Sequence, residues 1–456
     1  MARKLELTRE FISDLKEAIN ENNEKNLLIL LEDFHAADIA EIYDELDIEE
    51  VRYLFLLLDD ELAADVLAEL DEDDRDRFLE VLPPEVIAQK FIDHMDSDDA
   101  ADIIGDMDEE KKQEILLHLD DLEQAGDIVD LLAYREDSAG GLMGKELIEV
   151  NENWTILTCL KELGRQADEV DEVYYLYVVN DDNVLLGIVS LKKMLLSNNS
   201  TKVKTIIEDD IMSVNTDTSS EEVAQIMEKY DLVAIPVVDS IGRLVGRITI
   251  DDIVDVIREE AEKDYQMASG LIDEVEYGDK VFTITRARLP WLLIGLAGGI
   301  MGALVLGRFE TNLKIYPEMA FFIPLVAAMG GNVGIQSSAI IVQGLANNTL
   351  RTDRTFQRLG KEFLVALLNG FILAILIFIY NYFTSDTFAL TITVSVSLVS
   401  VVVIAALFGT LIPLILNRYK IDPALATGPF ITTMNDIIGL LIYMLIGRMF
   451  YTMFML

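Results

Sequence analysis

The sequence predicts a multidomain membrane protein: an acidic α-helical solenoid, an α/β tandem repeat, a connecting helix and an all-α domain of five transmembrane helices. Three observations lead there: a lopsided charge partition, five apolar runs in the last third, and two internal repeats in the first two thirds. The 456 residues include 81 acidic and 36 basic side chains, a net charge of −45, yet 51% are hydrophobic. The pI is about 4.2 and the mean hydropathy +0.29. Both properties cannot be spread evenly along one chain. From Leu289 onward there are nine Lys/Arg and seven Asp/Glu, a net of +2, so residues 1–288 hold 27 basic and 74 acidic residues, a net of −47. Such an acidic segment excludes a nucleic-acid binder, because phosphate backbones demand Lys and Arg. It calls for cations as partners. A single cysteine, Cys159, excludes a disulfide scaffold and a Cys-rich zinc site.

Residues 35–119 repeat with a short period. Leu46, Leu58, Leu70, Leu82, Met95, Met107 and Leu119 lie 12, 12, 12, 13, 12 and 12 apart, each followed by Asp within two residues or, after Leu82, by Pro-Pro-Glu. This predicts one short helix per period, capped by Asp, stacked into a solenoid. Most of its acids cap helices or face solvent. Crowding such as HMDSDDAADIIGDMDEE nevertheless needs counter-ions, which makes divalent cation binding a second reading.

A longer repeat fills about 142–265. YLYVVNDDNVLLGIVSLKKML (175–195) aligns with AIPVVDSIGRLVGRITIDDIV (234–254) at an offset of 59, placing Gly187 on Gly246. Each copy reads as strand, turn, strand and helix start at Ser190 or Thr249, preceded by an amphipathic helix. A charged helical stretch follows, in which Asp251, Asp252, Asp255, Glu259, Glu260 and Glu262 fall within twelve residues. A plain linker needs no such charge.

Five apolar stretches, at about 289–307, 319–346, 363–383, 388–416 and 428–453, each approach the roughly 20 residues that cross a bilayer. Short loops bearing Arg351, Arg354, Arg358 and Lys361, and Arg418 and Lys420, lie on the side of Arg286 and Arg288. The positive-inside bias then puts the acidic half in the cytoplasm and the C-terminus outside. The N-terminus lacks the apolar core of a signal peptide, which agrees with that expectation. Asp436 lies deep in the fifth span, where an ionised carboxylate costs about 2.5–3.5 kcal/mol and should face water or a cation. In the second span, MGGNVGIQSS (329–338) is expected to break the helix beside a lined pathway, with Gly330, Gly331, Asn332 and Gln336 as candidates. The alternative is small-residue packing between helices.

The 59-residue repeat resembles a tandem pair of CBS domains, in which Ser/Thr-x-x-Asp contacts ribose. The second copy has Thr249-Ile-Asp-Asp252, making it a candidate for ATP or another adenine nucleotide; the first, Ser190-Leu-Lys-Lys193, lacks the acid. The order acidic helices, AGGLM (139–143), CBS pair, connecting helix and five spans resembles the MgtE family of magnesium channels over essentially the whole chain. PLVAAMGGNVGIQSS and IDPALATGPFITTMNDIIGLLIY carry the most specific match. The resemblance implies domains at 1–138 (acidic helical), 139–200 and 201–264 (CBS), 265–288 (connecting plug helix) and 289–456 (pore). It implies a non-enzymatic, homodimeric, Mg2+-selective channel of the cytoplasmic membrane, closed when intracellular Mg2+ draws the acidic domains onto the plug helix. Asp436 matches the pore aspartate, and Asn332 its Gly-Gly-Asn motif. Asp252, Asp255, Glu260 and Asp264, with Asp251 and Glu259 among them, match regulatory acids; so do Glu221 and Asp231, and more loosely Asp98, Asp99 and Asp102. The chain departs from the family at Ser219, Lys263, Ile335 and Gly428.

Mg2+ keeps much of its water shell and takes one or two carboxylates, so two Asp436 side chains on a dimer axis would supply −2 against +2. No span contains His or Cys, which disfavours softer metals. A phosphate loop for an ATP-driven pump and the HExxH of an intramembrane protease are both missing. A CBS-regulated chloride transporter would want a cationic pathway rather than Asp436. The remaining alternative is a proton- or sodium-coupled exporter of divalent cations on the same scaffold.

Overall fold

The computed structural model describes residues 7–32, 34–166, 170, 173–272, 275, 278–346, 355–385, 387–426 and 428–454. The loop charges Arg351 and Arg354 lie outside the described residues. The chain forms two compact units, 1–257 and 258–456, each described by itself.

The first unit opens with short helices: α1 (Arg9–Asn20), α2 (Glu24–Leu31), α3 (Ala36–Ala40), α4 (Ile48–Leu57), α5 (Asp60–Ala68), α6 (Glu72–Glu80), α7 (Pro84–Lys90), α8 (Ser97–Gly105), α9 (Glu109–His118) and α10 (Leu122–Leu131). The 12-residue period is the distance from one cap to the next. Asp47 accepts from the Glu49 and Glu50 amides, Asp59 from Leu62, Asp108 from Glu110 and Lys111, and Asp121 from Glu123 and Gln124. At the odd interval Pro84 starts α7 instead, a position where its missing N–H costs nothing. Phe55, Phe78 and Phe91 meet edge to face in the solenoid core, at 5.2 and 5.7 Å between ring centroids.

Two three-stranded sheets follow, with α11 (Ile156–Gln166), α12 (Leu191–Leu195) and α13 (Ser220–Tyr230) around them. In the first, β1 (Ile148–Asn151) runs parallel to β2 (Leu176–Val179), which pairs antiparallel with β3 (Leu185–Val189). In the second, β4 (Val214–Asn215), β5 (Ala234–Val238) and β6 (Leu244–Thr249) repeat the order. The repeat extends to the register. Gly187 opposes Val178 and Gly246 opposes Val237, and each ladder shifts at the next residue of the partner strand. A β-carbon on Gly246 would stand 2.7 Å from the Met143 side chain. The second copy shares one core with the solenoid, through Met143, Val223, Met227, Ile235 and Ile248. The first copy keeps a separate core around Ile148, Ile156, Leu176 and Val189.

Helix α14 (Ile250–Ser269) leaves the second copy without a break. The connecting helix expected at 265–288 is therefore displaced toward the N-terminus. Ion pairs Arg258–Glu262 (3.1 Å) and Lys263–Glu260 (3.2 Å) brace the charged stretch as helix, and Gly270, at φ +89°, ends it. A new helix, α15 (Val281–Arg308), then runs on into the first span.

The second unit continues with α16 (Glu310–Ile315), a 3-10 turn (Pro317–Phe322), α17 (Ile323–Ala346), α18 (Thr355–Thr384), α19 (Phe388–Arg418) and α20 (Pro429–Phe454). Among the described residues, five of its helices are long and apolar enough to cross a membrane. The expected break at MGGNVGIQSS does not occur: α17 is helical throughout. Its glycines serve close packing instead. Gly330, Gly331 and Gly334 are buried against α19 and α20, and a β-carbon on Gly334 would collide with the Asn435 carboxamide.

Gly334→Ala should therefore lower stability by about 1–3 kcal/mol through overpacking. Gly295→Ala, with open space around it, should change it by less than ~0.5 kcal/mol. Thermal unfolding in detergent compares the two; equal shifts would refute the packing role.

Candidate cation sites

In the soluble unit the sequence places Asp96 at the N-cap of α8, with Asp98, Asp99 and Asp102 on its first turns. Asp96 makes no capping bond. Glu146, just past the Ala-Gly-Gly-Leu-Met turn, caps in its place, accepting from the Ser97 amide and the Ser97 hydroxyl, both at 3.0 Å. The Ser97 hydroxyl in turn accepts from the Lys145 amide at 2.9 Å. This double link fastens α8 to the segment that enters the first CBS copy. Gly144 lies under it: a β-carbon there would stand 2.9 Å from Asp98 Oδ2 and 3.0 Å from Glu146 Oε2.

The result is a concentration of carboxylates, against which Arg75 lowers Asp99 and Asp102. Oxygens of Asp96, Asp98 and Glu146 lie within 4.8 Å of one another. Asp252, on the first turn of α14, faces the same cleft. Its Oδ2 accepts from the Thr249 amide (3.2 Å) and hydroxyl (2.8 Å), which fixes the side chain. Desolvation, then the Asp252 charge, holds the Asp98 carboxyl well above its ordinary range. The same two causes push Asp99 up to about 7. Asp102 rises to about 7 through desolvation and Asp99, against the lowering effect of Arg75; Asp252 rises to about 6, mainly through desolvation. Hard, negatively charged oxygens that repel one another are the donor set a small divalent cation requires, so the residues fit Mg2+.

Of the regulatory residues expected from sequence, Asp98, Asp99 and Asp252 come together, with Asp102 and Asp251 at the margin. Asp255 lies one turn along α14 from Asp252, solvent-exposed. Glu221 and Asp231 stand at the two ends of α13, the latter at a left-handed C-cap, and both are exposed. Glu259 is exposed and Asp264 half-buried on the later turns of α14, where Glu260 pairs with Lys263. Asp96, Ser97 and Glu146 were not among the expected residues. The signal was an acid three residues after Met143, too short a pattern to read alone.

In the membrane unit α17 crosses α20 at its glycines. A β-carbon on Gly331 would lie 3.5 Å from Asp436 Oδ1 and 3.1 Å from Thr432 Cγ2; one on Gly330 would lie 3.5 Å from the Asn435 carbonyl. Asp436 is half-buried and has no hydrogen-bond or ion-pair partner among the described residues. Asn332 and Gln336 do not join it: both are exposed on the other side of α17. Two further polar groups were missed. The Asn435 carboxamide is buried with neither atom bonded, and the Ser337 hydroxyl donates to Glu362 at 2.6 Å. Neighbouring apolar residues concealed Asn435, and Glu362 read as part of a basic loop.

The helical solenoid, the CBS pair and five apolar helices, one of them carrying an aspartate with no partner among the described residues, define a multi-pass membrane protein of the cation-transporter class, with a soluble acidic unit attached. Models of three families match: the MgtE divalent cation transporter over 323–446, the MgtE intracellular N domain over 34–137, and CBS domains over 139–197 and 203–259. The chain is 34% identical over 439 residues to the magnesium transporter MgtE of Thermus thermophilus, covering 95% of this chain and 97% of the relative. It is 32% identical over 435 residues to that of Bacillus subtilis, covering 93% and 96%. The solved cytosolic domain of the Mg2+ channel MgtE in complex with ATP is 35% identical at a TM-score of 0.51, covering 54% of this chain and 99% of that one. The chain belongs to the MgtE family, which comprises transporters and not enzymes.

A raised carboxyl pKa means that folding favours the protonated form. The stability it contributes is complete below pH ~4 and is lost as pH rises through 6–7. With divalent cations chelated, the melting temperature of the full chain should therefore fall between pH 5 and pH 7.5, and Mg2+ should reverse the fall. The effect is modest, since Asp99 and Asp102 keep solvent contact. A melting temperature that is flat or rises over that range without cations would contradict the uncompensated-charge account.

Proposed function

We propose that the chain is a Mg2+-selective channel of the cytoplasmic membrane, gated closed by intracellular Mg2+. The observation that carries this reading is Asp436: a half-buried carboxylate beside Gly331 of α17, about two turns into the apolar helix α20, with no hydrogen-bond or ion-pair partner among the described residues. A hydrated Mg2+ needs one or two such charges and little else from the protein, because water supplies its remaining ligands. One Asp436 per chain leaves half the ionic charge uncompensated, so we place the pore on the axis of a homodimer. The soluble domains are cytoplasmic, and five spans put the C-terminus outside.

Closure follows from the acidic cleft. Asp98, Asp99, Asp252 and Glu146 would hold a divalent ion whose charge offsets their repulsion; Asp102, Asp255, Glu260 and Asp264 extend the acidic surface along α8 and α14. Helix α14 reaches the pore helix through two glycines. A β-carbon on Gly428, at φ +57°, would collide with the Ala268 carbonyl, and one on Gly270 would stand 2.7 Å from Pro429 Cγ. The end of α14 thus rests on the start of α20, and ordering α14 restrains the helix that bears Asp436. Each bridging ion shifts the balance only by its affinity difference between the closed and open states, so several weak sites together give steep closure.

The CBS pair is the proposed nucleotide site, supported by the ATP-bound relative. Thr249 and Asp252 are the contacts in the second copy. In the first, Lys193 stands where an acid would serve ribose, and it pairs with Glu208 at 3.3 Å. Asp252 also faces the acidic cleft, which ties nucleotide and cation binding to one side chain.

Asp436→Asn should abolish Mg2+ uptake into proteoliposomes while leaving the melting temperature near that of the parent; normal uptake would refute the charge role. Proteolysis within 260–285 should slow as Mg2+ rises. Neutralising Asp252, Asp255 and Glu260 together should remove that protection and leave the channel conducting at high Mg2+. Parent-like closure in the triple variant would make these acids mere surface.

A further inference from the structure

A groove lies between two spans that carry neither Asp436 nor its neighbours. Leu359 of α18 and Ile404, Leu407, Phe408 and Leu411 of α19 line a space of about 280 Å3, with no polar side chain among them. All five are half-buried. Two local features leave the helices loosely joined there. Gly360, beside Leu359, has nothing within 4 Å of where a β-carbon would stand. Pro413, inside α19, cannot donate to the Gly409 carbonyl, which breaks the helical ladder next to the groove.

At about 100° per residue the four lining residues of α19 form one stripe, and Ile415 and Arg418 continue it. Ile415 is 42% exposed, so the apolar surface runs on past the groove. Arg418 ends α19 about 10 Å beyond Leu411, and its long side chain can lie back along that surface. Gly409 sits roughly 150° round the helix from the centre of the stripe. It packs on the Gly334 carbonyl of α17, the helix whose Gly331 meets Asp436. The stripe therefore turns away from Asp436, and a dimer built on an axis through Asp436 leaves the groove to the bilayer.

The end of the groove marked by Arg418 is basic. Arg418 and Lys420 are exposed, and among the described residues neither has an ion pair or a side-chain hydrogen bond. That is notable in a chain with 81 acidic and 36 basic residues. The nearby acids are engaged elsewhere: Glu362 accepts from Ser337, and Asp422 from the Ala424 amide at 2.7 Å. The start of α18 and the end of α19 share the membrane face at which α15 begins, the cytoplasmic one in the reading above. Anionic headgroups there attract Lys and Arg, and a guanidinium matches a phosphate in geometry as well as charge.

We propose that this groove binds an anionic phospholipid of the cytoplasmic leaflet, with an acyl chain between α18 and α19 and the phosphate on Arg418 and Lys420. The inference rests on the membrane-spanning reading and its orientation, and is indifferent to which ion passes Asp436. A zwitterionic lipid offers the same chains, but its own cation offsets the phosphate, so the site should discriminate between the two.

The full chain in detergent is given phosphatidylglycerol or phosphatidylcholine with matched acyl chains. Bound lipid is counted by native mass spectrometry, self-association is read from the same spectra, and the melting temperature is recorded with and without lipid. The parent should retain phosphatidylglycerol preferentially and gain more thermal stability from it. Replacing Arg418 and Lys420 together by Gln should cut that preference by about five- to thirtyfold, the loss expected for one or two basic residues at an anionic surface. Both positions are exposed, so the melting temperature without lipid should stay that of the parent. Leu407→Trp, which fills the groove, should lower retention of both lipids. Equal retention of the two lipids by the parent, or a preference that survives in the double variant, would overturn the site. Loss of self-association in Leu407→Trp with lipid retention unchanged would assign the groove to a second copy, and would overturn it too.

Discussion

Carboxylate charge without protein counter-charge is the constraint on which this molecule depends. It recurs in two unlike settings. In the soluble unit Asp98, Asp99 and Asp252 converge while desolvation holds their carboxyls up. In the membrane unit Asp436 stands half-buried between apolar helices with no partner among the described residues. A protein that needed only stability would have placed Lys or Arg beside these groups, as it does for Asp60 with Lys90. On the proposed reading, an ion from solution supplies the charge that these groups lack.

The two settings call for different solutions from the fold. The soluble cleft needs acids from separate elements held close, and a shared apolar core supplies the force. Met143, Val223, Met227, Ile235 and Ile248 join the solenoid to the second CBS copy, and this buried hydrocarbon opposes part of the repulsion. The membrane site has no such force, because lipid is as apolar as the helices. Glycine-mediated approach takes its place: Gly330, Gly331 and Gly334 on α17, Gly409 on α19 and Gly439 on α20 bring backbones together where side chains would separate them. The Gly428–Ala268 and Gly270–Pro429 contacts apply the same device to the junction of α14 and α20.

Much of this was legible in the sequence because it is periodic. The 12-residue spacing became Asp-capped helices, and the 59-residue offset fixed two sheets down to the ladder shift after Val178 and Val237. Five apolar runs became five long helices, and the depth of Asp436 in the fifth was plain from its apolar neighbours. What failed was inference from composition to backbone. Glycines and amides at 329–338 suggested a broken helix, but a helix tolerates glycine when neighbouring helices fill the groove, and Asn332 and Gln336 simply face outward. The connecting helix was misplaced because its ion pairs extend the helix that begins at Ile250, and a single left-handed glycine, Gly270, ends it. Glu146 escaped notice because it acts through a partner distant in sequence, Ser97, and no local pattern encodes such a meeting.

In the proposed function, divalent cations neutralise the acidic cleft and so hold the helical domain against the second CBS copy. Spin labels at Leu117 on α9 and Ile241 in the β5–β6 turn, both exposed and clear of the cleft's carboxylates, measure that relation directly in the full chain. With cations chelated the distance distribution should be broad and extend to long separations. Millimolar Mg2+ should collapse it to one narrow population, whereas the same ionic strength supplied as a monovalent salt should not. A distribution that is equally narrow with and without Mg2+ would contradict the account, since the cleft would then be held by packing alone.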